Sequence, residues 1–111
     1  MAFNEQLADR VRKQLAGQPG LVEKKMFGGV AFLINGNMSV GVHGKELLVR
    51  IPAESTESAL KEPGVRHFDL TGRPMKGWIL VGGPALERED AFSAWVNRGV
   101  DYALSLPKKK K

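Results

Sequence analysis

The chain of 111 residues is long enough for one domain with one core, and its 42% hydrophobic and 26% charged residues are ordinary values for a globular protein. It contains no cysteine, which excludes disulfides, thiolate metal sites and cysteine nucleophiles. The formal net charge of +5 belongs to the end of the sequence, because residues 108–111 supply four of the 17 basic residues and the other 13 nearly balance 12 acidic ones.

The first predicted element is a helix over about residues 4–16. Asn4 suits its N-cap, because the side-chain oxygen can accept hydrogen bonds from the free amides of the first turn. Helical spacing places four apolar residues on one face, which we expect to be buried: Leu7, Ala8, Val11 and Leu15.

Between residues 21 and 51 the apolar pattern becomes strand-like, with turns at regular intervals. We predict four strands, over residues 22–27, 30–34, 38–42 and 46–51. The Asn35-Gly36 pair predicts a tight hairpin, since both residue types tolerate positive φ. The nearly continuous apolar run over residues 30–34 indicates a strand that is covered on both sides.

Alternation assigns faces to two of these strands. In the third strand, Met38, Val40 and Val42 are predicted to share one face, opposite Ser39 and Gly41. In the fourth strand, Leu47, Val49 and Ile51 are predicted to share one face, opposite Leu48 and Arg50.

The second half of the chain begins with a short predicted helix over residues 53–62, which directs Ala53, Ala59 and Leu60 inward. Residues 65–70 fit either an edge strand or an extended connection. A strand over residues 75–81 and a long helix over residues 87–106 complete the chain. Gly99 lies inside that helix, where glycine costs about 1 kcal/mol relative to alanine, so we expect a close approach between helix and sheet there.

The elements follow the order α-β3(or 4)-α-β2-α. Sequential antiparallel strands with helices on one face predict an α+β, two-layer domain with an antiparallel sheet. We assign this domain to residues 1–106 and predict that residues 107–111 form a disordered lysine tail.

The residue pattern shows no catalytic constellation, and we predict no enzyme, metal or cofactor site. The two histidines, His43 and His67, lack the spacing of a metal pair. The glycines at Gly28 and Gly29 do not form a dinucleotide-binding loop, because a strand rather than a helix follows them.

The surface offers one set of candidate interaction residues. They are basic or aromatic, and the predicted sheet could bring them together: Lys25, Arg50, Arg73, Lys76 and Trp78. Trp78 is predicted on the sheet face away from the helices, where a partly apolar surface favours a partner, most simply a second copy of the chain. The basic residues are otherwise consistent with ordinary solvated charges or with weak nucleic-acid binding.

The amino terminus has neither the basic nor the apolar region of a secretory signal. No apolar run approaches the ~20 residues of a membrane-spanning helix. We therefore expect a cytoplasmic protein that does not enter the membrane.

Several segments together resemble the TfoX N-terminal domain family, from about residue 5 to residue 106. They are residues 25–32, 36–38, 48–50, Phe68 and residues 72–78. The specific part of this resemblance is the occurrence of both residues 25–32 and residues 72–78 in one chain. The resemblance implies an α-β3-α-β2-α fold that is similar to the secretion-chaperone architecture.

The family signature itself is expected to preserve structure rather than to bind a ligand. Its residues are Met26, Phe27, Gly28, Gly29, Gly72, Pro74 and Met75. Two adjacent glycines suit a positive-φ turn or a bulge, a proline sets a turn, and methionines fill gaps in a core.

The resemblance implies a regulatory role. The namesake TfoX/Sxy proteins act in natural competence and transcriptional control, apparently as coactivators, and carry a second, C-terminal helical domain. We therefore expect a stand-alone, non-enzymatic regulatory or protein-interaction domain, with a protein partner or a homodimer. Two alternatives stay open: weak nucleic-acid binding through the basic residues and lysine tail, and binding of small anionic ligands near Arg50, Arg73 and His67.

Overall fold

Six antiparallel strands form one sheet in the computed structural model of the chain, which describes residues 4–26, 29–68 and 76–107. The strands are Leu21–Met26 (β1), Gly29–Ile34 (β2), Asn37–His43 (β3), Glu46–Arg50 (β4), Val65–His67 (β5) and Trp78–Val81 (β6). The helices are Glu5–Leu15 (α1), Thr56–Leu60 (α2), Pro84–Glu87 (α3) and Glu89–Ser105 (α4), with a 3-10 turn at Ala53–Ser55. Neighbouring strands follow the order β1-β2-β3-β4-β6-β5.

The helices pack on one face of this sheet, and this arrangement confirms the predicted α+β class. The main core contains buried residues from α1, α2 and α4 together with alternate residues of the strands. In α1 the four predicted residues Leu7, Ala8, Val11 and Leu15 are all buried. The Asn4 side chain accepts a hydrogen bond from the Leu7 amide at 3.0 Å, which confirms the predicted N-cap. None of the helices among the described residues is long and apolar enough to span a membrane.

The hairpin between β2 and β3 turns at the predicted pair. Asn35 has φ 54° and Gly36 has φ 82°, so both central residues adopt the positive φ of the turn that suits a two-residue hairpin. The turn also sets the register, which pairs Ile34 with Asn37.

A β-bulge in β3 overturns part of the predicted face assignment. Phe32 pairs with Val40 and Leu33 pairs with Met38, so Ser39 is an extra residue in β3. The Ser39 hydroxyl donates to the Phe32 carbonyl at 2.7 Å. The extra residue reverses the alternation, and Met38 therefore lies on the opposite face from Val40 and Val42. The prediction that these three residues share a face was wrong for Met38.

Three details of the second half of the chain go beyond the prediction or differ from it. The short helix begins with a 3-10 turn in which Ala53 is exposed, so its predicted inward position was wrong, whereas Ala59 is buried. β5 settles the alternative for residues 65–70 in favour of a short edge strand. β6 begins only at Trp78, because Gly77 turns the chain with φ 83° and donates its amide to the Thr56 hydroxyl at 2.7 Å.

The long helix predicted over residues 87–106 is α4, and a separate single-turn helix, α3, precedes it. The extended backbone of Arg88 separates the single turn of α3 from α4. Gly99 lies where α4 crosses β3, and a Cβ atom there would overlap the Ser39 carbonyl oxygen and lie 2.6 Å from Val40 Cγ1. This contact confirms the close approach that the sequence predicted at Gly99.

We expect Gly99→Ala to destabilise the protein by about 1–3 kcal/mol, because the added methyl group has no space against β3. Helix propensity alone predicts the opposite sign, a gain of about 1 kcal/mol. Denaturant unfolding measures the change in the free energy of unfolding.

Ala94→Gly at an exposed position of the same helix is the matched control, with an expected loss of about 1 kcal/mol from propensity alone. A stabilised Gly99→Ala variant would show that the helix and the sheet are not in close contact at this position.

Candidate functional site

The sheet face away from the helices carries its own apolar cluster. Ala31, Met38, Leu48, Phe68 and Leu80 lie there, and each is at most 5% exposed. Leu33 and Trp78 are partly buried against them. The outer face is therefore not the open apolar surface that the sequence suggested, and a partner that binds there meets mainly the rim of this cluster.

Phe68 links the outer cluster to β6. Its amide donates to the Trp78 carbonyl at 3.2 Å, directly after the end of β5. The Phe68 ring centroid lies 5.5 Å from that of His43 in an edge-on arrangement and 6.3 Å from that of Trp78. These contacts hold the Trp78 ring over one end of the sheet.

Arg50 lies beside Trp78 at the same end. The two residues pair across β4 and β6, and the guanidinium carbon of Arg50 lies 5.2 Å from the Trp78 ring centroid. The same carbon lies 5.6 Å from the ring centroid of Tyr102 on α4. We call Arg50, Trp78 and Tyr102 the aromatic–arginine cluster. Cation–π attraction to two rings orients the guanidinium, at a strength of about 0.5–1 kcal/mol per contact at a partly exposed site.

The bulge in β3 contributes to this geometry. Pairing between β3 and β4 ends at Val40 and Val49, so Arg50 lies beyond the last pair on that side. Arg50 can therefore contact the helix layer through Tyr102 although it belongs to the outer face of β4. Sequence reasoning missed Tyr102, because its position on α4 next to Asp101 lies off the apolar stripe.

A cavity of about 350 Å³ adjoins the cluster. Its walls come from the end of β4, the 3-10 turn and the last turns of α4, through Ile51, Pro52, Ser55, Arg98, Asp101, Tyr102 and Ser105. Arg98 is paired with Glu62 at 2.8 Å. Arg50 precedes the lining residue Ile51 in the chain and makes no ion pair or hydrogen bond with any described residue.

The structure brings together only part of the predicted interaction surface. Arg50 and Trp78 are neighbours, and Lys76 is exposed in the turn before β6. Lys25 pairs with Val30, so it faces the helix side of β1, three strands away from β4. Arg73 lies outside the described residues. The five residues therefore do not form one patch.

Position 29 of the family signature requires glycine for a different physical reason than the expected positive-φ turn or bulge. Gly29 begins β2 and its φ is not positive. A Cβ atom there would overlap the Val42 carbonyl oxygen of β3, so close packing of two backbones requires the glycine. Met26 pairs with Gly29 at the end of β1. Phe27, Gly28, Gly72, Pro74 and Met75 lie outside the described residues.

The titratable groups do not converge on a catalytic arrangement among the described residues. His43 faces the outer cluster, whereas His67 pairs with Ile79 and faces the helices, so His67 does not join Arg50 in one anion site. His67 Nδ1 is buried without a hydrogen-bond partner in the described part of the chain. Residues 4–26, 29–68 and 76–107 contain no group of three or more potential metal ligands.

Among the described residues, two carboxylates have shifted pKa values, and both pKa values are lowered, further from neutral pH. A hydrogen bond from Arg12 lowers the pKa of Glu23, and one from Arg88 lowers the pKa of Asp90. A general acid or base works best with a pKa near the working pH, so these two groups are poorly suited to that role.

We expect Leu48→Ala to lower the free energy of unfolding by about 2–5 kcal/mol, because Leu48 is fully buried in the outer cluster. Val22→Ala is the matched control on the same sheet face. Val22 is 57% exposed, and its truncation should cost less than about 1 kcal/mol. Equal and small losses in urea unfolding would contradict a second apolar cluster on this face.

Comparison with known families gives a match over most of the chain. The family model for the TfoX N-terminal domain matches residues 13–103, which is most of the chain. No curated protein and no solved structure matches the chain significantly.

Proposed function

Because this chain belongs to the TfoX N-terminal domain family, we propose that it is a non-enzymatic regulatory domain that acts by binding another protein. In this proposal it works in the cytoplasm, in the control of transcription or of natural competence, as the TfoX/Sxy relatives do. The aromatic–arginine cluster is its main contact surface.

One observation carries this proposal, namely the grouping of arginine, tryptophan and tyrosine at one end of the sheet. These three residue types dominate binding hot spots, since they combine a large apolar surface with directed polar groups. Arg50, Trp78 and Tyr102 are each partly buried, and Trp78 rests on the packed outer cluster. The rings are thus held in place before a partner arrives, which reduces the entropy that binding costs.

The described basic residues favour a protein partner over a nucleic acid. Arg12, Arg66 and Arg98 are paired with carboxylates. Lys24 and Lys25 alternate between the two faces of β1. A nucleic acid needs several free cations along one face, and these residues do not provide such a row.

The test is affinity purification from the source cells under native conditions, with quantitative mass spectrometry. We expect a partner whose recovery falls about 30-fold or more with Arg50→Gln or Trp78→Ala, the effect of truncating a hot spot. Arg66→Gln is the control, since Arg66 is exposed on the outer face of the neighbouring strand β5 and loses the same charge.

Two results would overturn the proposal. One is that no protein is enriched over a tag-only sample while light scattering finds a monomer over a wide concentration range. The other is an enriched protein whose recovery is the same for the Arg50, Trp78 and Arg66 variants. Self-association that depends on Arg50 would identify a second copy as the partner.

A further inference from the structure

The guanidinium of Arg50 has donors without acceptors among the described residues. An arginine side chain presents five N–H donors in a fixed plane. Arg50 contacts the two rings but makes no hydrogen bond or ion pair with any described residue. It is also partly buried, so water reaches it less freely than it reaches a fully exposed arginine.

Two other arginines that stack on aromatic rings behave differently. Arg10 donates to the Leu86 carbonyl at 2.9 Å and to Glu89 at 3.2 Å while it stacks on Phe92. Arg98 stacks on Trp95 and pairs with Glu62. In both cases an acceptor completes the arrangement of a stacked guanidinium. Arg50 has the ring contacts but no acceptor within the described part of the chain.

The local charges indicate which acceptor fits. Arg50 supplies one positive charge, and Arg98 on the cavity wall is already neutralised by Glu62. Asp101 on the same wall adds a negative charge that repels a dianion more strongly than a monoanion. A carboxylate carries a single charge and matches the planar fork of a guanidinium with two parallel hydrogen bonds. A phosphate usually requires more than one cation.

The cavity beside the cluster has room for more than a carboxylate. Arg50 does not line it, but the next residue Ile51 and the Tyr102 ring do. Ile51, Pro52 and Tyr102 make this part of the wall largely apolar, and its volume of about 350 Å³ suits one side chain of moderate size. An acidic residue beside an apolar one would satisfy both features.

We infer that Arg50 binds a carboxylate of a short acidic segment in the partner, whose adjacent apolar side chain occupies the cavity between Ile51 and Tyr102. This inference rests on the proposed function for the identity of the partner. Binding of the carboxylate can be measured without that partner.

The experiment uses the full chain, labelled with ¹⁵N, and NMR signals of the arginine Nε–H and the tryptophan indole N–H groups. The probe is a capped hexapeptide with one central glutamate flanked by leucines. We expect saturable shifts of the Arg50 and Trp78 signals at low salt. The glutamine counterpart of the peptide should bind about tenfold more weakly or worse, because a hydrogen bond to a charged group is stronger than one to a neutral group.

Variants and a second probe make the result decisive. Arg50→Gln should weaken binding of the glutamate peptide about tenfold or more. Arg66→Gln should leave it unchanged, and thermal unfolding confirms that both variants fold. Inorganic phosphate is titrated in parallel. Absence of saturable binding, equal affinity for the glutamine peptide, or tighter binding of phosphate would each overturn the inference.

The two experiments distinguish a failure of the carboxylate site from a failure of the proposed function. If the glutamate peptide binds through Arg50 but the purification recovers no partner, the carboxylate site stands and the proposed function fails. If a partner is recovered through Trp78 while neither probe distinguishes Arg50→Gln, the proposed function stands and the carboxylate site fails.

Discussion

The contact between α4 and β3 at Gly99 is the constraint on which much of the structure depends. The helix backbone lies so close to the Ser39 carbonyl that position 99 has no room for a side-chain carbon. Ser39 is also the extra residue of the bulge in β3, and its hydroxyl binds the Phe32 carbonyl. The bulge and the glycine thus form a single packing unit between the two layers.

This packing unit has consequences on both faces of the sheet. The bulge transfers Met38 to the outer face, where it joins Leu48 and Leu80 in the outer cluster. It also lies next to the point where the β3–β4 pairing ends, one residue before Arg50. Three residues after Gly99, the same helix brings Tyr102 to the guanidinium of Arg50. The aromatic–arginine cluster therefore depends on the same local geometry as the core.

Burial on both sides of the sheet also limits where a partner can bind. Sheets in two-layer α+β domains often leave one face to solvent. Here the centre of that face is filled by the chain's own apolar side chains, and the partly exposed aromatic residue Trp78 lies at its rim. This arrangement leaves the end of the sheet available to a partner. There the Arg50 guanidinium contacts the rings of Trp78 and Tyr102.

The sequence by itself determined most of the elements and their order. Helical spacing in α1, the Asn35-Gly36 turn and the alternation of Leu47, Val49 and Ile51 are local patterns, and the structure confirms each of them. The family could also be recognised from short motifs that span most of the chain. Such features depend on residues that are near one another in sequence.

Only the tertiary structure decided which residues meet at the site. The bulge at Ser39 reversed an alternation that the sequence predicted as regular, because β2 and α4 impose it from outside the strand. Lys25 was separated from Arg50 by the strand order, and Tyr102 joined Arg50 from 52 positions further along the chain. Contacts of this kind arise from packing between distant segments, which no local pattern in the sequence encodes.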